Sequence, residues 1–306
     1  MNGPETLGSS AASSPAERTK VVYVMGSGHS GSTILGVALN SCDGFFYAGE
    51  MDKWLVRRGR SVIGGTARTD FWDVVRERVG DVDGLEGAGS QKYLERSSAL
   101  LRSRSARRRL REQWRLLTPR LYRTIASTAQ AAQVVDTSHF PLRARELGAL
   151  DEIDLYLILL FREPEQIVHS FLRHINPHNV VKLRLRTLKV NADIWVTYLL
   201  SLFVFAKQPR ERRVVLKHED FLNDPERVLE QLLSFVGSPA APPDFSRLDS
   251  GYPLQGNKGV IGEQTVMLRR GAPHSPRSSR FTRAVQAPWM AVFARLSPRI
   301  TIESHQ

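Results

Sequence analysis

The sequence predicts an α/β protein, a parallel β-sheet flanked by helices on both faces in three α/β/α layers, with a helical insertion. Three observations predict it. The short runs "VVYVM" (Val21–Met25), "AQVVDTS" (Ala132–Ser138), "LYLILLFRE" (Leu155–Glu163) and "RRVVLKHED" (Arg212–Asp220) are apolar along their centres, as strands buried on both faces are. Each is followed by a helical pattern, the order that builds parallel strands with crossover helices. A chain of 306 residues with 42% hydrophobic content is long enough to bury a sizeable core.

Taken in order, residues 1–18 are small and polar, offer little to bury, and predict a flexible tail ahead of a single domain over residues 19–306. The tail has neither the basic start nor the apolar centre of a signal peptide. The first strand opens into "GSGHSGST", Gly26 to Thr33, and leaves as an apolar helix to Asn40. A strand, a glycine-rich turn and a helix N-terminus aim backbone N–H groups and the positive end of a helix dipole at one point, where an anion binds. Gly26, Gly28 and Gly31 permit positive φ and close approach, and Ser30, Ser32 and Thr33 add hydroxyls. The outline is that of the phosphate loop G-x-x-x-x-G-K-[ST], with Ser32 where that motif has lysine. The same glycines also satisfy the dinucleotide spacing G-x-G-x-x-G, so the loop alone does not choose its ligand.

Residues 59–129 read as a helical insertion, with the Gly/Asp-rich "VGDVDGLEGAGS" in its middle and a basic helix, Leu100–Leu117, that sets leucines and Trp114 on one face and arginines from Arg102 to Arg115 elsewhere. That helix reads as solvated or substrate-facing. In "VVLKHEDFLNDPERVLEQLLSFVG", Leu229, Leu232, Leu233 and Val236 fall at helical spacing and belong to the core. The longest apolar segment, Ile194–Ala206, is too short to span a bilayer. Cys42 is the only cysteine, which excludes an intramolecular disulfide and a cysteine-built metal site and suits a reducing compartment. The expectation is a soluble cytoplasmic protein.

Lys+Arg exceed Asp+Glu by 43 to 31, a net charge of +12, and the arginine excess suits bidentate contacts to phosphate or sulfate. No nucleic-acid motif accompanies the charge, and no nucleic-acid partner is expected. A kinase-like reading lacks the loop lysine and an apolar strand ending in an aspartate for Mg²⁺; the strand Leu155–Phe161 ends instead in Arg162.

At these residues the sequence resembles the sulfotransferases that use 3′-phosphoadenosine 5′-phosphosulfate (PAPS), which need no metal. Their loop reads approximately [KR]-S-G-[ST]-T, and "HSGST" fills it here, with His29 at the usual basic position. Their second signature, a strand-end arginine, a proline and a serine in the next helix, matches Arg162, Pro164 and Ser170. The resemblance implies that Gly28, His29, Ser30, Gly31, Ser32 and Thr33 hold the 5′-phosphosulfate and that Arg162 and Ser170 hold the 3′-phosphate. "LQGNKGVIGE" is similar to the family's later segments and adds Lys258 and Gly259 near that phosphate. The matched stretch runs from about Lys20 to Gly262, with residues 59–129 unmatched.

Two residues compete as general base. Glu50, in "FFYAGEMDKW", resembles the Gly-Glu segment of the bacterial and tyrosylprotein branch, whose glutamate is the base. His139, in "DTSHFP", resembles the T-H-x-P segment of the cytosolic enzymes, whose histidine is the base. Glu50 ranks first, because the rest of the chain resembles the former branch more closely. The implied partner is a small-molecule or carbohydrate acceptor, a hydroxyl or an amine on a sugar, phenol or secondary metabolite. The rival readings are a nucleoside-triphosphate enzyme with a degenerate loop and a non-enzymatic anion- or nucleotide-binding module. Oligomeric state and acceptor identity are not written in these motifs.

Overall fold

The computed structural model describes residues 18–80, 89, 91–172, 180–271 and 280–296. The predicted tail, Arg18 apart, and most of the Gly/Asp-rich segment lie outside the described residues.

Five parallel strands form one sheet: β1 (Thr19–Gly26), β2 (Phe45–Gly49), β3 (Gln133–His139), β4 (Ile153–Phe161) and β5 (Arg213–Lys217), in the order β2-β3-β1-β4-β5. The four strands expected from the sequence are β1, β3, β4 and β5; β2 was not foreseen. β1 lies between β3 and β4, with Val21 opposite Val134 and Leu155. The helices are α1 (Ser32–Asn40), α2 (Trp54–Arg57), α3 (Thr66–Val79), α4 (Arg104–Ala129), α5 (Pro141–Leu147), α6 (Pro164–Leu172), α7 (Val180–Lys207), α8 (His218–Asn223), α9 (Pro225–Phe235), α10 (Lys258–Ile261) and α11 (Arg280–Leu296). A two-stranded antiparallel ribbon pairs β6 (Leu248–Asp249) with β7 (Thr265–Val266).

Successive side chains of a strand point to opposite faces, so β1 divides its residues between two cores. Val21, Tyr23 and Met25 pack with α3, α4, α5 and α7, through Trp72, Trp114, Tyr122 and Val204. Val22 and Val24 pack on the other face with α1, α8 and α9, through Leu35, Phe221 and Leu229. The region between Gly59 and Ala129 therefore supplies α3 and α4 to one helical layer. Trp54 and Trp72 belong to the core, with ring centroids 5.7 Å apart.

The basic stretch around Arg102–Arg115 is only partly solvated. Arg111 donates to both carboxylate oxygens of the buried Glu146 on α5, at 2.7 and 3.0 Å, and fixes α4 to its neighbour. The apolar segment Ile194–Ala206 extends in the structure to the 28 residues of α7, long and apolar enough by length and composition to cross a membrane. The helix continues through Val181, Leu185 and Leu188 because basic residues interleave with them without breaking its pattern. Its inner face, Val190, Ile194, Tyr198, Val204 and Phe205, is buried in the protein.

Candidate active site

Parallel sheets bind ligands outside the carboxyl ends of their strands, where loops from several strands meet. Here the ends of β1, β2, β3 and β4 carry the loop Gly26–Thr33, Glu50, His139 and Arg162.

The loop turns on two left-handed residues, His29 at φ 63° and Gly31 at φ 93°. Gly31 is the N-cap of α1 and no side chain caps that helix, so its first amides have no protein partner from a cap. A side chain on Gly31 would collide with the imidazole of His218, 2.3 Å from the position of a Cβ. His218 is buried, and burial followed by the positive charge of Arg162 lowers its pKa to about 4, so the ring beneath the loop is neutral near pH 7. Ser32 and Thr33 are half-buried at the loop surface. Ser30 is 1% exposed, and its buried hydroxyl has no hydrogen-bond partner among the described residues.

Arg162 joins the strand end to the loop. Its Nη1 donates to the His29 carbonyl at 2.8 Å and its Nε to Gln166 Oε1 at 3.0 Å. Burial lowers its pKa from the usual guanidinium value, with Glu219 and Tyr198 acting against that. Ser170 Oγ lies 3.1 Å from His29 Nδ1, and Phe171 meets the His29 ring edge-on at 4.2 Å. The structure thus brings His29, Arg162 and Ser170 together, which the sequence set 133 and 141 residues apart.

Glu50 and His139 stand at the ends of the adjacent strands β2 and β3, near enough for positive charge on His139 to lower the Glu50 pKa. Burial raises the Glu50 pKa above the ordinary carboxylate range; His139, Lys53 and the Gln255 amide pull it back, while Asp52 adds to the rise. Gln255 Nε2 donates to Glu50 Oε2 at 2.8 Å, and Arg57 Nε donates to Gln255 Oε1 at 2.6 Å, which fixes the amide orientation. Lys53 pairs with Asp52 at 2.5 Å, and Arg57 reaches Glu50 through Gln255. His139 takes a left-handed backbone, φ 55°, with Nδ1 3.3 Å from the Thr137 carbonyl.

A strap from Leu254 to Asn257 connects the two halves. Leu254 N donates to Ala48 O and Glu50 N to Gln255 O, both at 2.9 Å. Asn257 N donates to Thr33 Oγ1 at 3.1 Å. Gly49, at φ 84°, must be glycine here, since a Cβ would stand 2.3 Å from the Gln255 carbonyl. Lys258 is exposed next to this strap, while the Gly259 N–H is already donated to Asn257 Oδ1 at 3.1 Å.

Beneath His139 lies a charged network that sequence reasoning missed. Asp136 accepts from Ser138 N at 2.8 Å, Met51 N at 3.4 Å, Arg143 Nε at 3.1 Å, and the hydroxyls of Tyr122 and Ser138. Arg143 reaches on to Glu95, which also accepts from Trp114 Nε1 at 3.2 Å. Burial drives the Glu95 pKa up to about 7 against the lowering effect of Arg143. The only signal was the aspartate within "VVDTSH", read as strand. Asp136 is filled by these bonds, and among the described residues no group of three or more His, Cys, Asp or Glu is placed to hold a metal ion.

A glycine-rich loop at the end of β1 and a carboxylate and an imidazole at the ends of β2 and β3 thus share one edge of the sheet in a three-layer α/β fold. The model of the sulfotransferase family matches residues 22–242, and the chain belongs to that family. Family and fold support sulfonyl transfer as its general chemistry. Among solved structures, the sulfotransferase domain from the Synechococcus PCC 7002 olefin synthase superposes with a TM-score of 0.51 at 15% identity, covering 90% of this chain and 96% of that one. The sulfotransferase domain from the curacin biosynthetic pathway gives 0.47 at 17%, covering 90% and 98%. The sulfotransferase from Alicyclobacillus acidocaldarius gives 0.44 at 14%, covering 94% and 96%. At these identities the likeness concerns the fold alone. No curated protein sequence matches the chain.

Proposed function

We propose that the chain is a PAPS-dependent sulfotransferase of the cytoplasm, moving sulfonate to a hydroxyl or amine of a small-molecule or carbohydrate acceptor without a metal. The observation that carries this reading is the juxtaposition of two chemistries at one sheet edge. The uncapped α1 terminus with Arg162 and Ser170 suits a doubly anionic ligand, and Glu50 with His139 suits removal of an acceptor proton. The family generally uses PAPS, which agrees with that donor set.

When bound, PAPS supplies the sulfonate and a nucleotide bisphosphate leaving group for in-line displacement. The amides at Gly28 to Thr33 with the Ser32 hydroxyl bind the 5′ side and stabilise negative charge on the departing oxygen. Arg162 keeps Nη2 unbonded among the described residues for a phosphate oxygen, and Ser170 and Lys258 add donors. Glu50 takes the acceptor's proton through Oε1, since Gln255 occupies Oε2. His139 orients the acceptor or stabilises the ionised Glu50 through its own charge.

Thermal shift tests the whole reading. Adenosine 3′,5′-bisphosphate stabilises the protein without Mg²⁺, by about 2.7 kcal/mol at a hundred times its dissociation constant. Stabilisation by Mg-ATP alone, or by polyanions alone, overturns it.

A further inference from the structure

We propose that the outer face of α7 is a self-association seam, along which two copies of this chain pair antiparallel about a two-fold axis at Ala192.

The inner face of α7 is spent on the core and on Tyr198, which sits against the backbone of Ser27 and Arg162 behind the anion loop. On the outer face, Val181, Leu185, Leu188, Val196, Leu199 and Phe203 expose between 44 and 70% of their surface. With the exposed Ala192 and Ala206 they recur every three or four residues over the helix, the period of a helix-packing seam and not of scattered surface residues. The spacing is symmetric. Val181 and Phe203 lie eleven residues either side of Ala192, Leu185 and Leu199 seven, Leu188 and Val196 four. An antiparallel pair centred on Ala192 therefore sets each large side chain opposite an apolar partner, and the small residue sits where the backbones cross. A two-fold interface requires such a self-complementary patch.

Charge selects the same arrangement. Lys182, Arg184, Arg186 and Lys189 all precede Ala192, and no charged residue lies between Ile194 and Ala206. Antiparallel pairing lays each basic half along the charge-free stretch Ile194–Ala206, whereas parallel pairing sets the two basic halves side by side. It also brings Asp193, the only acid of α7, within reach of the partner copy's Lys189. Val181, Lys182, Leu185, Arg186 and Lys189 line a shallow groove of about 410 Å³, placed opposite Phe203 and Leu199 of the second copy. The six large side chains expose on the order of 600 Å² of apolar surface, and the flanking stems bring this near the roughly 800 Å² per partner of a standard interface.

Sedimentation of the full chain over a concentration series tests the proposal. The expected result is a monomer–dimer equilibrium that Leu199→Glu shifts towards monomer by about 30-fold or more, with an unchanged far-ultraviolet circular dichroism spectrum. Cysteine pairing tests the orientation even where that variant folds poorly, because Cys42 is buried. Leu185→Cys mixed with Leu199→Cys forms an oxidised heterodimer, and neither alone does. A wild-type chain that stays monomeric, or Leu185→Cys cross-linking to itself, overturns the proposal. So does a monomer that binds phosphatidylglycerol vesicles and loses that binding in Leu199→Glu, which assigns the face to a lipid surface.

Discussion

Glu50 is half-buried, bonded through one oxygen to Gln255, and held above the ordinary carboxylate pKa by burial. In its proposed role as general base Glu50 works ionised, so turnover should rise with pH through this raised pKa, and the acid limb of the kcat profile should lie above the usual carboxylate range. Gln255→Leu removes a bond that lowers the pKa, and the limb should move to higher pH; an unmoved limb means that another group titrates there. Glu50→Gln should lower kcat by about 10²–10⁴-fold with nearly unchanged bisphosphate affinity. If His139→Ala shows that loss instead and Glu50→Gln turns over normally, the two roles exchange. Arg162→Ala should weaken bisphosphate binding by roughly 10- to 100-fold, the worth of one or two charge-assisted hydrogen bonds, and calorimetry measures it directly.

The glycine-rich loop and α8 depend on each other through Gly31 and His218. Gly31→Ala places a Cβ against the imidazole and a side chain at φ 93°, and should destabilise the protein by about 1–3 kcal/mol as well as weaken the bisphosphate. The His218 pKa is depressed from 6.5 to about 4, so the folded state declines a proton that the unfolded state accepts. Its contribution is present above pH 6.5 and is lost as pH falls towards 4, and the acid slope of the melting temperature should flatten in His218→Gln. At the scale of elements, the sequence showed the four inner and far strands because they are continuous apolar runs. β2 escaped because "FFYAG" is five residues long, aromatic, and ends in a glycine required by the Gln255 carbonyl, a contact 206 residues away. The strap residue Gln255 and the buried partners Asp136, Arg143 and Glu95 escaped for the same reason: each is defined by a neighbour remote in the chain. His29, Arg162 and Ser170 were legible because a loop and a strand end carry them in short local patterns.

Over the whole molecule, the two halves of the site share supports and should fail together. The strap Leu254–Asn257 bonds to β2 and Glu50 at one end and to Thr33 at the other. Asn257→Pro, which removes the N–H given to Thr33, should therefore reduce both bisphosphate affinity and kcat, where Glu50→Gln reduces only the second; isothermal titration and steady-state rates on the two variants separate these outcomes. The hub at Asp136 reaches further. It binds Met51 after β2, Tyr122 on α4, Ser138 at the end of β3 and Arg143 on α5, so it is satisfied only when the edge strand, the long insertion and the following helix have all arrived. The Met51 contact closes 85 residues of chain, and non-local contacts of that span slow folding. Because the same hub seats the loop that bears His139 and the turn after Glu50, a molecule that has not finished folding lacks the proposed base in its place. Specific activity in a refolding time course then counts completed molecules, and should lag behind the recovery of helical signal.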